Sequence, residues 1–240
     1  MKYSVIIRTY NPKIEWLERA INSANGLFDE MIIVDDGCRI SISGFIEEKM
    51  KDRFAILGTN GDAVTFEDSR KKLLKVVSHR YNLGVCEARN TGVKNATGDI
   101  IAWLDDDDYF DNAGVISLKQ FVEKNPDGDV FHFPLMMFGN IVDEGKVYGL
   151  NANPTKLVEH SEIPGVSWHT RKLWEELNGY QYHSGEDWEF LLRAFLAKKK
   201  FIYFNKIPYN VNRRNGSTSM AYVGSVYDRM KKDILEKNGL

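Results

Sequence analysis

The sequence predicts an α/β fold: an open, mostly parallel sheet with helices on both faces. Three observations carry this. Short apolar runs rich in Ile and Val recur along the first half of the chain, longer amphipathic stretches separate them, and the two alternate in β-α-β-α order. Tyr3–Arg8, Met31–Asp36, Asp99–Leu104 and Asp129–Phe133 read as buried strands, apolar nearly throughout as in a parallel sheet covered on both sides. Phe54–Leu57 and Lys75–Ser78 are weaker strand candidates. Ile14, Leu17, Ala20 and Ile21 repeat at helical spacing after Asn11-Pro12, which reads as an N-cap followed by proline at the first helical position. Further helices are predicted over Cys86–Ala96, Asn112–Lys124, Thr170–Leu177, Asp187–Lys199 and Val223–Lys237, with a strand at Phe201–Asn205. Residues 135–165 read as hairpin pieces, MMFG and GKVYG. Without an internal repeat or linker, residues 1–240 are expected to form one unit, with residues 1–108 and 109–240 as its two halves.

Composition narrows the function classes. Lys plus Arg (32) nearly balance Asp plus Glu (34), so no basic excess points to nucleic acid. The two cysteines, Cys38 and Cys86, form no CxxC pair, which excludes the familiar structural zinc spacings. The apolar run of MKYSVIIRTYNP is too short for a signal peptide, and no stretch has the length to cross a bilayer. A cytoplasmic setting is the expectation.

Two acidic clusters end predicted strands, the place where open α/β sheets bind ligands. They are Asp35-Asp36-Gly37 and Asp105-Asp106-Asp107-Asp108. Four adjacent carboxylates repel one another unless a cation or solvent compensates. In an extended segment Asp105 and Asp107 point the same way, a spacing that would let both approach one metal ion. Mg2+ or Mn2+ takes one or two carboxylates and completes its shell with phosphate oxygens and water, which suits a nucleotide diphosphate. The competing readings are a solvated acidic loop and a cap for the helix near Asn112. An EF-hand is disfavoured, because Phe110 stands where the loop glycine belongs.

The segments SVIIRTYNP, IIVDDG, NLGVCEARNTG, AWLDDDD and GEDWEFLLRAF follow one another in an order and spacing that resembles family-two glycosyltransferases with the GT-A fold, over about residues 3–200. The resemblance implies a nucleotide-sugar donor, commonly a UDP-sugar, a divalent metal (Mn2+ or Mg2+), a saccharide or glycolipid acceptor, and an inverting transfer in a polysaccharide or glycolipid pathway. By position it implies that Thr9 and Tyr10, with Asn11 beside them, line the base pocket. Asp36 contacts the base or ribose, Asp35 helps shape the pocket, and Arg89 lies near the nucleotide. Asp106 faces the ribose or sugar, and Asp107 is the principal metal ligand of the DxD motif with Asp105 flanking it. Two departures stand out: Arg8 replaces the usual proline, and the stretch from Gly37 to Tyr81 is longer than is typical.

The same resemblance assigns Asp187, with Glu186 as its neighbour and acceptor contact, to the general base of the transfer. A helix N-terminus there is expected to keep Asp187 ionised. Capping competes, since Ser184 and Asp187 have the capping-box spacing. Arg213 and Arg214 are candidates for the donor diphosphate, and Trp168 and His169 for the donor sugar and acceptor; plain surface and core roles compete with both. His160 and His183 lack partner spacing. The lysines at 71–72, 198–200 and 231–232 read as solvated faces, or as a peripheral membrane contact if they cluster. Two rivals remain. One is a sugar-phosphate nucleotidyltransferase, which would open with a glycine-rich loop where RTYNPK stands; the other is a non-catalytic nucleotide-sugar binding module.

Overall fold

The computed structural model describes residues 1–139, 144–181, 185–213 and 225–240. In chain order its elements begin β1 (Tyr3–Thr9), α1 (Ile14–Ala24), β2 (Glu30–Asp35), α2 (Ile42–Lys49), β3 (Phe54–Asn60), β4 (Ala63–Asp68), β5 (Leu73–Ser78) and α3 (Val85–Asn95). They continue with β6 (Ile100–Asp105), β7 (Tyr109–Phe110), α4 (Asn112–Glu123), β8 (Val130–His132), β9 (Leu135–Phe138) and β10 (Val147–Tyr148). A 3-10 turn at Pro154–Val158 precedes β11 (Trp168–Thr170), α5 (Arg171–Glu176), α6 (Glu186–Leu196), β12 (Phe201–Tyr203), β13 (Tyr209–Asn212) and α7 (Ser225–Lys237).

Among the described residues nine strands form one sheet in the order β12-β8-β11-β6-β1-β2-β5-β4-β3. The centre is parallel: β1 lies between β2 and β6, and β5 runs alongside β2. Val5, Ile6 and Ile7 of β1, Ile32 to Val34 of β2 and Ile100 to Leu104 of β6 are buried, as apolar runs covered by helices must be. Register fixes what meets at the carboxyl edge: Arg8 stands beside Asp105, and Thr9 beside Asp35. A second sheet, β10-β9-β13-β7, stands against that edge.

Several boundaries differ from the expectation. Helix α1 starts at Ile14 with Lys13 at the N-cap and no side-chain cap. Asn11 has instead turned into the left-handed region (φ 50°), where its amide oxygen accepts from the Arg39 backbone N–H at 2.8 Å. The long stretch after Gly37 holds helix α2, capped by Ser41, and the antiparallel meander β3-β4-β5. The Trp168–Thr170 segment is a strand, inserted antiparallel between β8 and β6.

That strand corrects one reading. Trp168 is fully buried (0% exposed), edge-on to Tyr3, Phe28 and Phe133, and so cannot stack on a sugar. His169 is buried beside it, bonded to the Tyr180 hydroxyl and the Thr170 carbonyl, and burial holds its pKa down to about 4. Both belong to the core because β11 alternates between two covered faces. Trp168→Ala is expected to cost about 3–5 kcal/mol of stability, measurable by denaturant unfolding.

Candidate active site at the carboxyl edge of the sheet

A cavity of about 770 Å³ opens where the carboxyl ends of β1 and β6 face β9, β13 and the start of α6. That is within the range of small-molecule sites. Its wall brings together Thr9, Tyr10, Asp36, Arg89, Asp105 to Asp108, Glu186, Asp187 and Arg213.

The first acidic cluster divides its work. Asp36 Oδ1 accepts from the Leu83 N–H (2.8 Å) and lies 2.7 Å from His79 Nδ1, while Oδ2 accepts from the Gly84 N–H (3.0 Å). His79 Nε2 continues to Thr91 on α3 (2.9 Å). The carboxylate therefore organises the loop that leads into α3. Asp35 shapes that wall from behind: its oxygens accept from the Cys38 N–H (2.8 Å) and the Ser78 hydroxyl (3.3 Å). Asp35 and Asn11 lie behind the cavity wall, where Asp35 shapes the 36–39 loop as expected and Asn11 accepts from the Arg39 N–H. The turn after Asp36 requires glycine, since Gly37 has φ +77° and a Cβ there would lie 2.6 Å from the Asn82 nitrogen.

The second cluster is a graded row. Asp105 is paired with Arg8, Nη2 to Oδ1 3.1 Å. Asp106 accepts from the Thr9 hydroxyl (2.5 Å); burial and the neighbouring Asp107 and Asp105 push its carboxyl up to about 6 against that bond. The Asp107 carbonyl accepts from Arg19 Nη2 (2.5 Å), whose guanidinium lies over Tyr109 and Phe138. Asp108 is turned into the protein, where its oxygens accept from the Tyr209 hydroxyl (2.7 Å) and the Asn212 N–H (2.6 Å). Burial, with Asp105 and Asp107 close by, raises its pKa well above the carboxylate range. The helix that follows is capped by Asp111, whose carboxylate accepts from the Gly114 N–H at 2.6 Å, so the acidic row is not that cap.

The row fits a hard divalent cation. Its donors are carboxylate oxygens, and its crowded charge is of the kind such an ion relieves. Among the described residues no three ligating side chains converge on one point.

Glu186 and Asp187, in the first turn of α6, line the same cavity as the row. Glu186 Oε1 accepts from Arg89 Nε at 3.1 Å, and the Arg89 guanidinium lies over Trp103 (4.6 Å) and Tyr180 (5.2 Å). The N-cap is Gly185, which makes no side-chain cap, and Ser184 lies outside the described residues. Asp187 Oδ1 accepts from the Trp188 N–H at 2.8 Å. Burial, then the adjacent Glu186, pushes the Asp187 carboxyl above its ordinary value against the pull of Arg89. Burial thus opposes the hold on the anion expected of a helix N-terminus.

The Asp187 carboxylate rests against Gly165, where a built Cβ would lie 2.6 Å from Asp187 Cγ. Gly165→Ala is expected to displace that carboxylate and lower activity at least tenfold in a folded chain; steady-state rates and circular dichroism check it.

Arg213 is on the wall, its N–H donating to the Phe138 carbonyl at 2.8 Å, whereas Arg214 and His183 lie outside the described residues. His160 pairs with Glu162. Lys71, Lys72, Lys199, Lys200 and Lys232 are each in an ion pair with a nearby carboxylate. Sequence reasoning missed His79, Gly165, Tyr209 and Asn212, which carry no motif of their own. Arg8 was visible only as a departure.

Comparison with known proteins agrees with this architecture. The model of the family described as Glycosyl transferase family 2 matches residues 4–171. The chain is 29% identical over 241 residues to Glycosyltransferase GlyA of Streptococcus pneumoniae, covering 92% of this chain and 32% of that protein. It is 33% identical over 148 residues to the uncharacterized glycosyltransferase RC0461 of Rickettsia conorii, covering 60% of this chain and 20% of that one. The chain therefore spans about a fifth to a third of those relatives. Among solved structures, S. aureus TarS 1-349 in complex with UDP-GlcNAc superposes with TM-score 0.66 at 22% identity, covering 98% of this chain and 70% of that one. The mannosyltransferase PcManGT from Pyrobaculum calidifontis, in complex with GDP-Man and Mn2+, gives 0.62 at 14% identity, covering 92% and 59%. No described helix is long and apolar enough to cross a membrane. The strand-end carboxylates, the sheet that presents them and the family match agree: this chain belongs to glycosyl transferase family 2 and has the GT-A fold.

Proposed function

We propose that the chain transfers a sugar from a nucleotide-diphosphate donor, a UDP-sugar, to a hydroxyl of a saccharide or glycolipid acceptor, with inversion at the anomeric carbon. The observation that carries this reading is that the Asp105–Asp107 row and Asp187 line one cavity. Such a cavity holds a diphosphate at one end and a hydroxyl nucleophile at the other. Asp107, with Asp105 beside it, would hold Mn2+ or Mg2+, which would supply charge neutralisation for a departing diphosphate. Thr9, Tyr10 and the loop organised by Asp36 receive the nucleoside. Arg213 reaches the phosphates as a planar donor fork. Asp187 takes the proton of the acceptor hydroxyl as the oxygen attacks, and Glu186 fixes Arg89 beside it. The complexes of TarS with UDP-GlcNAc and of PcManGT with GDP-Man and Mn2+ support the donor class. We place the reaction in the cytoplasm, in polysaccharide or glycolipid assembly, with any membrane contact peripheral.

The test is turnover of a nucleotide-sugar panel with and without Mn2+, following nucleoside diphosphate release and the anomeric configuration of the product. Release of UDP with an inverted linkage is expected. Pyrophosphate release would indicate a nucleotidyltransferase, and binding without turnover a non-catalytic module.

A further inference from the structure

Arg8 occupies an unusual place. It is one residue from the carboxyl end of β1, in register with Asp105 of β6, and the two side chains pair at 3.1 Å. They are 32% and 31% exposed, so the pair sits on the cavity wall and not in the core. The rest of the row is differently engaged: Asp106 holds the Thr9 hydroxyl, and Asp108 holds Tyr209 and Asn212. An incoming divalent ion therefore finds Asp105 already paired and a fixed positive charge on the adjoining strand.

We infer that Arg8 is a resident counter-ion of Asp105 that weakens divalent-cation binding at the acidic row. This rests on reading the row as the cation's seat. Charges a few ångströms apart on a partly exposed wall change an affinity by on the order of tenfold.

The experiment titrates the full chain with manganese alone, following free Mn2+ by electron paramagnetic resonance and folding by circular dichroism. R8Q, and R8M as an apolar replacement for the same stem, are expected to bind Mn2+ about tenfold more tightly than wild type. R8K, which keeps the charge, stays near the wild-type value. R8Q/D105N, with both charges gone, loses the gain and returns towards wild type. A merely structural Arg8 would weaken binding in every variant. Unchanged or weaker Mn2+ binding in folded R8Q or R8M overturns the role of Arg8 while leaving the cation seat in place. Manganese that binds neither wild type nor any variant overturns the seat and the inference together.

Discussion

Asp187→Asn is expected to lower kcat by about a hundredfold or more while the affinity for UDP stays at its wild-type value. The asparagine keeps the shape of the side chain and can still accept from the Trp188 N–H, so the first turn of α6 is preserved. What it loses is the ability to take a proton. The pH profile separates this role from a structural one. Asp187 acts as its anion, so the rate rises as pH passes upward through its pKa, and burial beside Glu186 places that limb above the ordinary carboxylate range. In Asp187→Asn the limb disappears. A profile in the variant with the wild-type acid limb would assign the titration, and the base, to another group.

Asp107→Ala is expected to remove the manganese contribution to donor binding. At a donor concentration about 100 times its Kd, a bound ligand stabilises the folded chain by roughly 2.7 kcal/mol, visible as a rise in melting temperature. With Mn2+ and UDP-sugar together the wild type is expected to show that rise, and the variant most of it lost. Asp108→Ala provides the contrast. It removes the acceptor of the Tyr209 hydroxyl and the Asn212 N–H, so its cost falls on stability before it falls on the metal. If Asp107→Ala kept the full manganese-dependent shift, the ligand would be elsewhere in the row.

The sheet was legible in the sequence because β1, β2 and β6 are apolar on both faces, a pattern that only a covered parallel strand tolerates. Their carboxyl ends marked Thr9, Asp36 and the acidic row, and the structure sets all of these on one cavity with Asp187 and Arg213. What escaped lies where tertiary context decides. Trp168 and His169 looked like a sugar platform, but a three-residue strand between β8 and β6 leaves no exposed face. Asn11 has a good capping side chain, yet its left-handed backbone turns it towards Arg39 and leaves α1 to start two residues after Pro12. The upward shift of Asp187 was not legible, because local helix geometry is readable from sequence whereas the burial that raises its carboxyl comes from packing. Gly165 was invisible for the same reason: its only message is the space it leaves.

The bonds of Asp108 to Tyr209 and Asn212 have a mechanical corollary. The carboxylate row and the strand that leads into Arg213 are pinned at one shared joint, so neither can drift independently of the other. Any ligand that reached both Arg213 and the aspartates would meet two walls kept in step by that joint. Loosening the pin would let those walls fall out of alignment even with every contacting side chain intact.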